Sequence, residues 1–161
     1  YIGAFVMLGD QEICVAGAAE LLKRAPEYDY LIAPEAKAIP LLYEMARQSG
    51  AEKYFLARKG AKAYMTGVFE VEVRSITTMH IQKLVIDTAD AELIKGKKIL
   101  IVDDVISTGE SLHAMEELVK RAGGIIAGKM AVLAEGDAKD RDDIITLAPL
   151  PLFNADGTVK A

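Results

Sequence analysis

Strand-length apolar runs alternating with helical patterns predict an α/β chain, and a stretch of period-two alternation in its middle predicts an antiparallel pair set into it. Composition agrees: of 161 residues, 52% are hydrophobic and 27% charged, enough apolar material for one real core. No internal repeat, low-complexity tract or Pro/Ser-rich linker interrupts the chain, so residues 1–161 are predicted to form one domain.

The elements follow in order. Asp10 can cap a helix running to about Arg24, with Ile13, Ala16, Leu21 and Leu22 near one face. Tyr30–Ala33 is a short buried strand, Ile39–Gln48 a helix that Gly50 stops, and Tyr54–Ala57 the next strand. From Phe69 to Asp87 the period becomes two, placing Phe69, Val71, Val73, Leu84 and Ile86 on one face. The polar stretch Ser75–His80 between these runs predicts an exposed, flexible loop on a strand pair. Ile99–Val102 then resumes the continuous apolar pattern of a parallel strand. Gly109–Arg121 is predicted helical, Gly123 and Gly124 stop it, and Ile125–Leu133 is the last predicted strand. The expected architecture is a central, mostly parallel sheet with helices on both faces plus a flexible antiparallel lid hairpin.

Charge and composition narrow the function. Nineteen basic and 24 acidic residues leave a net charge of −5, which argues against a broad nucleic-acid surface. The single cysteine, Cys14, has no intrachain partner, as suits a reducing compartment. No stretch approaches the roughly 18 apolar residues of a membrane helix and no signal peptide is visible, so the expected location is cytoplasmic. The chain opens at Tyr1 rather than Met, which leaves room for a missing N-terminal piece.

The chemistry concentrates in Ile99–Ser111, where an apolar strand runs into Asp103 and Asp104 and a Ser-Thr-Gly loop opens a helix. Ligands of open α/β sheets bind beyond the carboxyl ends of strands. A helix N-terminus offers free N–H groups and positive dipole to a phosphate, and Gly109 allows close approach. Ser107, Thr108 and Ser111 add hydroxyls. Carboxylates beside such a nest repel phosphate but accept bonds from sugar hydroxyls. The combination predicts a phosphorylated sugar. The plainer reading of Ser107–Ser111 is a capped loop with Ser107 or Thr108 as N-cap. No Gly-Lys-Ser/Thr follows, so this is not a Walker A loop, and a receiver domain fails because its phospho-accepting Asp and distant Lys have no counterparts at the required spacing.

The stretch Val102–Ser111 resembles the signature of type I phosphoribosyltransferases, which bind 5-phosphoribosyl-1-diphosphate. Glu35-Ala-Lys-Ala-Ile39 resembles the family's diphosphate loop, Arg58-Lys-Gly-Ala-Lys62 the basic segment of its adenine-specific members, and Leu147–Phe153 their terminal stretch. The resemblance covers roughly Leu31 to Phe153 and implies the type I phosphoribosyltransferase fold.

It also implies roles. Asp103 and Asp104 would hold the ribose hydroxyls. Ser107, Thr108, Gly109, Glu110 and Ser111 would wrap the 5-phosphate, with Glu110 standing where many members carry Gly. Glu35, Ala36, Lys37, Arg58, Lys59 and Lys62 would serve the diphosphate, whose charge grows as the C1–O bond breaks. Mg²⁺ would be bound through substrate oxygens. Ser75–His80 would be the closing lid; where adenine-specific members often carry a proton-transferring Glu, this chain has Thr77 and Thr78, with His80 as an alternative. Leu133 would pack on the base and Glu135 accept from its amino or ring N–H, unless Glu135 merely opens a solvated loop with Asp137–Asp143. The N-terminal hood that members use for the base looks short or missing.

The expected function is purine salvage with phosphoribosyl diphosphate and a purine base, adenine first and xanthine or guanine as alternatives, in a homodimer with Arg58–Tyr64 near the partner. A different reading is a non-catalytic regulator that senses phosphoribosyl diphosphate and binds nucleic acid. The acidic charge balance and the absence of an appended basic module weigh against it.

Overall fold

The computed structural model describes residues 1–74 and 79–160. Twelve elements follow in chain order: α1 (Gln11–Arg24), β1 (Tyr30–Pro34), α2 (Ile39–Ser49), β2 (Phe55–Ala57), β3 (Val68–Arg74), β4 (Ile81–Asp87), α3 (Thr88–Ile94), β5 (Lys98–Ile106), α4 (Glu110–Arg121), β6 (Ile125–Glu135), a 3₁₀ turn (Gly136–Asp140) and β7 (Ile145–Leu150). The helix ends are set as the sequence suggests: Asp10 accepts from Ile13 N at 3.1 Å, and Gly50 closes α2 in the left-handed region.

Five strands pair in the order β2-β1-β5-β6-β7, every pairing parallel. The sheet is therefore wholly parallel, and antiparallel pairing is confined to the separate β3–β4 hairpin. Alternation along each strand divides the core into two layers. Leu31, Ala33, Leu100, Val102, Met130 and Val132 pack with α1 and α2, while Ile32, Ile99, Ile101 and Ala131 pack with α4, α3 and the hairpin. The hairpin face is the expected one: Phe69 pairs with Ile86 and Val71 with Leu84, and Val71, Val73, Leu84 and Ile86 are buried. A bridge between Arg58 and Val85, with N–H···O distances of 2.8 and 2.7 Å, fastens the hairpin to the end of β2.

The structure departs from the sequence expectation in three places. β5 does not stop at Val102 but continues through Asp103 and Asp104 to Ile106, because β6 runs on to Glu135 and supplies partners up to Ala134. Gly109, with φ +81°, is the N-cap of α4 in place of Ser107 or Thr108; Thr108 Oγ1 still accepts from Glu110 N at 3.4 Å. Helix α3 and edge strand β7 are additional elements.

The strand order reverses at β1. From β1 the chain moves outward to β2, then returns past the hairpin to β5 on the other side. The crevice between the carboxyl ends of β1 and β5 is thus a topological switch point, the place where such sheets bind ligands.

Candidate active site

A cavity of about 570 Å³ opens at this crevice, within the usual range of small-ligand sites. β1 delivers Glu35, Ala36 and Lys37 to it, β5 delivers Asp103 and Asp104, and the following loop delivers Ser107, Thr108, Gly109 and Ser111. Four segments far apart in the chain converge, since Lys59 and Glu135 line it as well.

The acid pair is electrostatically tense. Asp104 is 3% exposed, and its Oδ2 accepts no hydrogen bond among the described residues. The Lys37 ammonium lies 3.0 Å from that oxygen, off hydrogen-bonding direction, and supplies its countercharge across the switch point. Asp103 Oδ1 accepts from Asp104 N at 2.8 Å. Burial, and then the neighbouring Asp104 carboxyl, push Asp103 up to about 8. Asp104 Oδ2 therefore holds acceptor capacity that no hydrogen bond among the described residues uses.

The loop after β5 suits an anion. The first main-chain bond of α4 is His113 N to Gly109 O, 2.8 Å, so the N–H groups before it have no helical acceptor. Glu110 does not line the cavity of Asp103 and Asp104. It lines a second one of about 850 Å³, with Arg74, His113, Glu135 and Arg141, and the two cavities meet at Ser107–Gly109.

The Glu35 peptide to Ala36 is cis. Glu35 accepts from Arg58 Nε and from Lys59 N, both at 2.6 Å, and Arg58 Nη1 donates to Tyr64 Oη at 2.8 Å. Burial pushes the Glu35 carboxyl up, but the Lys59 N–H and the Arg58 guanidinium outweigh it and hold it below its ordinary value. Glu35 thus orients the basic segment. Of the cations expected at the diphosphate, Lys37 and Lys59 line the cavity; Arg58 is turned to Glu35, and Lys62 stands exposed near it.

Glu135 is 9% exposed, with Oε1 fully buried and unpartnered among the described residues, and it lines both cavities. It does not open a solvated loop. Leu133 packs instead against the α1–α2 core and lines neither cavity. Thr77 and Thr78 lie outside the described residues; Gln82 and Leu84 of the β3–β4 hairpin line the cavity wall. Further lining comes from Ile2–Val6 and Leu150, which carry no signal in the sequence beyond being apolar.

A family model described as a phosphoribosyl transferase domain matches residues 7–148. The chain belongs to this family. Among curated proteins, this phosphoribosyltransferase-family chain is 32% identical over 134 residues to an adenine phosphoribosyltransferase of Kosmotoga olearia, covering 78% of this chain and 69% of that one. It is 34% identical over 110 residues to that of Thermotoga maritima, covering 68% and 59%. The chain thus spans 69% and 59% of the length of these two relatives. Its fold is that of the adenine phosphoribosyltransferase of Thermoanaerobacter pseudethanolicus, with a TM-score of 0.73, 24% identity and coverage of 89% and 84%. Among the described residues no helix is long and apolar enough to cross a membrane.

Proposed function

We propose that the chain is an adenine phosphoribosyltransferase, joining a purine nitrogen to C1 of phosphoribosyl diphosphate with release of diphosphate. The observation that carries this is the meeting, in one cavity at the switch point, of the Asp103–Asp104 pair, the Ser107–Ser111 loop and the Glu35–Lys37 segment with Lys59. The names of the curated relatives support adenine as the base.

In this reading, Asp103 and Asp104 accept bonds from the ribose 2- and 3-hydroxyls and fix the ring. The N–H groups at the start of α4 hold the 5-phosphate. Lys37 and Lys59 take up charge on the departing diphosphate, with Arg58 and Lys62 behind them, so the bond breaks toward preorganised cations. Glu135 accepts an N–H of the incoming base. The family resemblance assigns proton transfer and water exclusion to Thr77 and Thr78, which lie outside the described residues.

Among the described residues no group of three or more His, Cys, Asp and Glu converges as a metal cage. Two carboxylates beside a diphosphate seat nevertheless fit Mg²⁺, which keeps several oxygen ligands from substrate and water. Bound there, it would neutralise diphosphate charge.

A homodimer is inferred from the family resemblance, with the exposed ring of Tyr64 beside Arg58 as the apolar surface it would use; the reduced Cys14 suits the cytoplasm. Sedimentation would read the dimer.

The reaction is tested by incubating the chain with Mg²⁺, phosphoribosyl diphosphate and adenine, guanine, hypoxanthine or xanthine singly, and following diphosphate release. Release with adenine alone is expected, and Asp104→Asn should cut it by at least about 100-fold. Release with another base would reassign the substrate. Tight phosphoribosyl diphosphate binding without release with any base would overturn the enzyme reading in favour of a sensor.

A further inference from the structure

An ion-pair relay runs from α4 to the segment before β7. Lys129 of β6, its side chain 14% exposed, lies 2.8 Å from Glu116 Oε1 on α4 and also donates to Asp143 Oδ2. Asp143 in turn grips Arg141 twice, taking Nε at 2.8 Å and Nη2 at 2.7 Å. Bonds from Arg141, then Lys129, hold the Asp143 carboxyl well below the usual carboxylate range. A forked guanidinium held by two bonds has little freedom left.

The remaining edge of that guanidinium is unused. Nη1 has no hydrogen-bond partner among the described residues, and it faces Gly109: a side-chain carbon on Gly109 would stand 2.8 Å from it. Gly109 is the N-cap of α4 and the centre of the Ser107–Ser111 loop. A cation fixed against the positive end of a helix is unfavourable by itself and becomes favourable when an anion shares the site. Arg141 also lines the second cavity, which joins the first along Ser107–Gly109.

We propose that Arg141 is a specificity residue for the sugar 5-phosphate, its Nη1 giving the phosphate a charge-assisted hydrogen bond, with Asp143 and Lys129 as positioning residues. The proposal rests on the phosphoribosyl reading of this loop. It assigns to Arg141 the discrimination of a phosphorylated from an unphosphorylated sugar. A backbone N–H nest alone makes that distinction more weakly, because its donors are neutral.

Calorimetry on the whole chain tests it with two ligands, ribose 5-phosphate and inorganic diphosphate with Mg²⁺, thermal melts being recorded alongside. Arg141→Gln should weaken ribose 5-phosphate by about 10- to 100-fold, the range of one charged hydrogen bond, while diphosphate affinity stays within about twofold. Asp143→Asn, which keeps the guanidinium but loosens its grip, should lose less. Arg141→Lys should recover only part of the loss, since an ammonium cannot hold the two-bond clamp. Equal weakening of both ligands would make Arg141 a structural prop and overturn the proposal, as would unchanged ribose 5-phosphate affinity in Arg141→Gln. Failure of the wild-type chain to bind ribose 5-phosphate would overturn the phosphoribosyl reading along with it, whereas normal wild-type binding with an unaffected variant sinks Arg141 alone.

Discussion

Asp103 shows how much of a site's character sits in one side chain. It shares a strand end with Asp104 and keeps its proton to about pH 8, because burial and the adjacent carboxyl both disfavour its charge. The folded chain therefore binds this proton more tightly than the unfolded chain, whose aspartates titrate near about 4. Asp103 contributes its full stabilisation below about pH 4 and loses it as pH rises through about 8. Thermal melts of the ligand-free chain from pH 4 to pH 9 should show wild type falling relative to Asp103→Asn over that interval. A constant difference between the two would contradict the raised pKa. That the two acids would stand together in the cavity beyond the apolar part of the strand was legible in the sequence. The pairing of Asp104 with Lys37 at 3.0 Å was not, because Lys37 follows β1 and Asp104 lies in β5, strands whose adjacency only the sheet order creates.

At the scale of elements, α4 and its loop carry the site. Gly109 has φ +81° and stands against Arg141, so it meets both a backbone and a space requirement for glycine. Gly109→Ala should cost about 1–2 kcal/mol in stability from the left-handed backbone alone. It should also weaken ribose 5-phosphate at least about tenfold, since the loop must move to clear the 2.8 Å approach. Denaturant melts and calorimetry read the two effects, and a variant with native affinity would show that the loop tolerates the shift. Helix α4 itself was plain in the sequence from its long periodic pattern and the Gly123-Gly124 stop. Helix α3 was not, because Thr88–Ile94 spans too few residues to display a period and rests on Asp87 accepting from Ala89 N. Strand β7 was hidden by Pro149, which reads as a strand breaker yet is tolerated at the sheet edge it occupies.

Across the whole molecule, the two ends of the described chain meet at the site. Phe153 N donates to Tyr1 O at 2.9 Å, and Ile2–Val6 with Leu150 line the cavity that holds the acid pair. Met7, fully buried, begins the core proper. Removing residues 1–6 should therefore leave the fold intact and raise the KM for the base by about tenfold, the scale of one or two lost apolar contacts. Steady-state kinetics with adenine test this, and an unchanged KM would exclude the segment from base binding.

The sequence by itself determined the α/β class, the caps of α1 and α2, the hairpin face and the loop that opens α4, because each is written in the local periodicity and turn residues of its own segment. Tertiary structure decided the rest: the extension of β5 through both acids, the Glu35–Arg58 clamp, the burial of Glu135, the removal of Leu133 from the cavity and the arrival of Arg141 at Gly109. Those contacts are made by residues far apart along the chain. They exist only once parallel strands have paired in the order β2-β1-β5-β6-β7, and no local pattern encodes which strand ends will share a crevice.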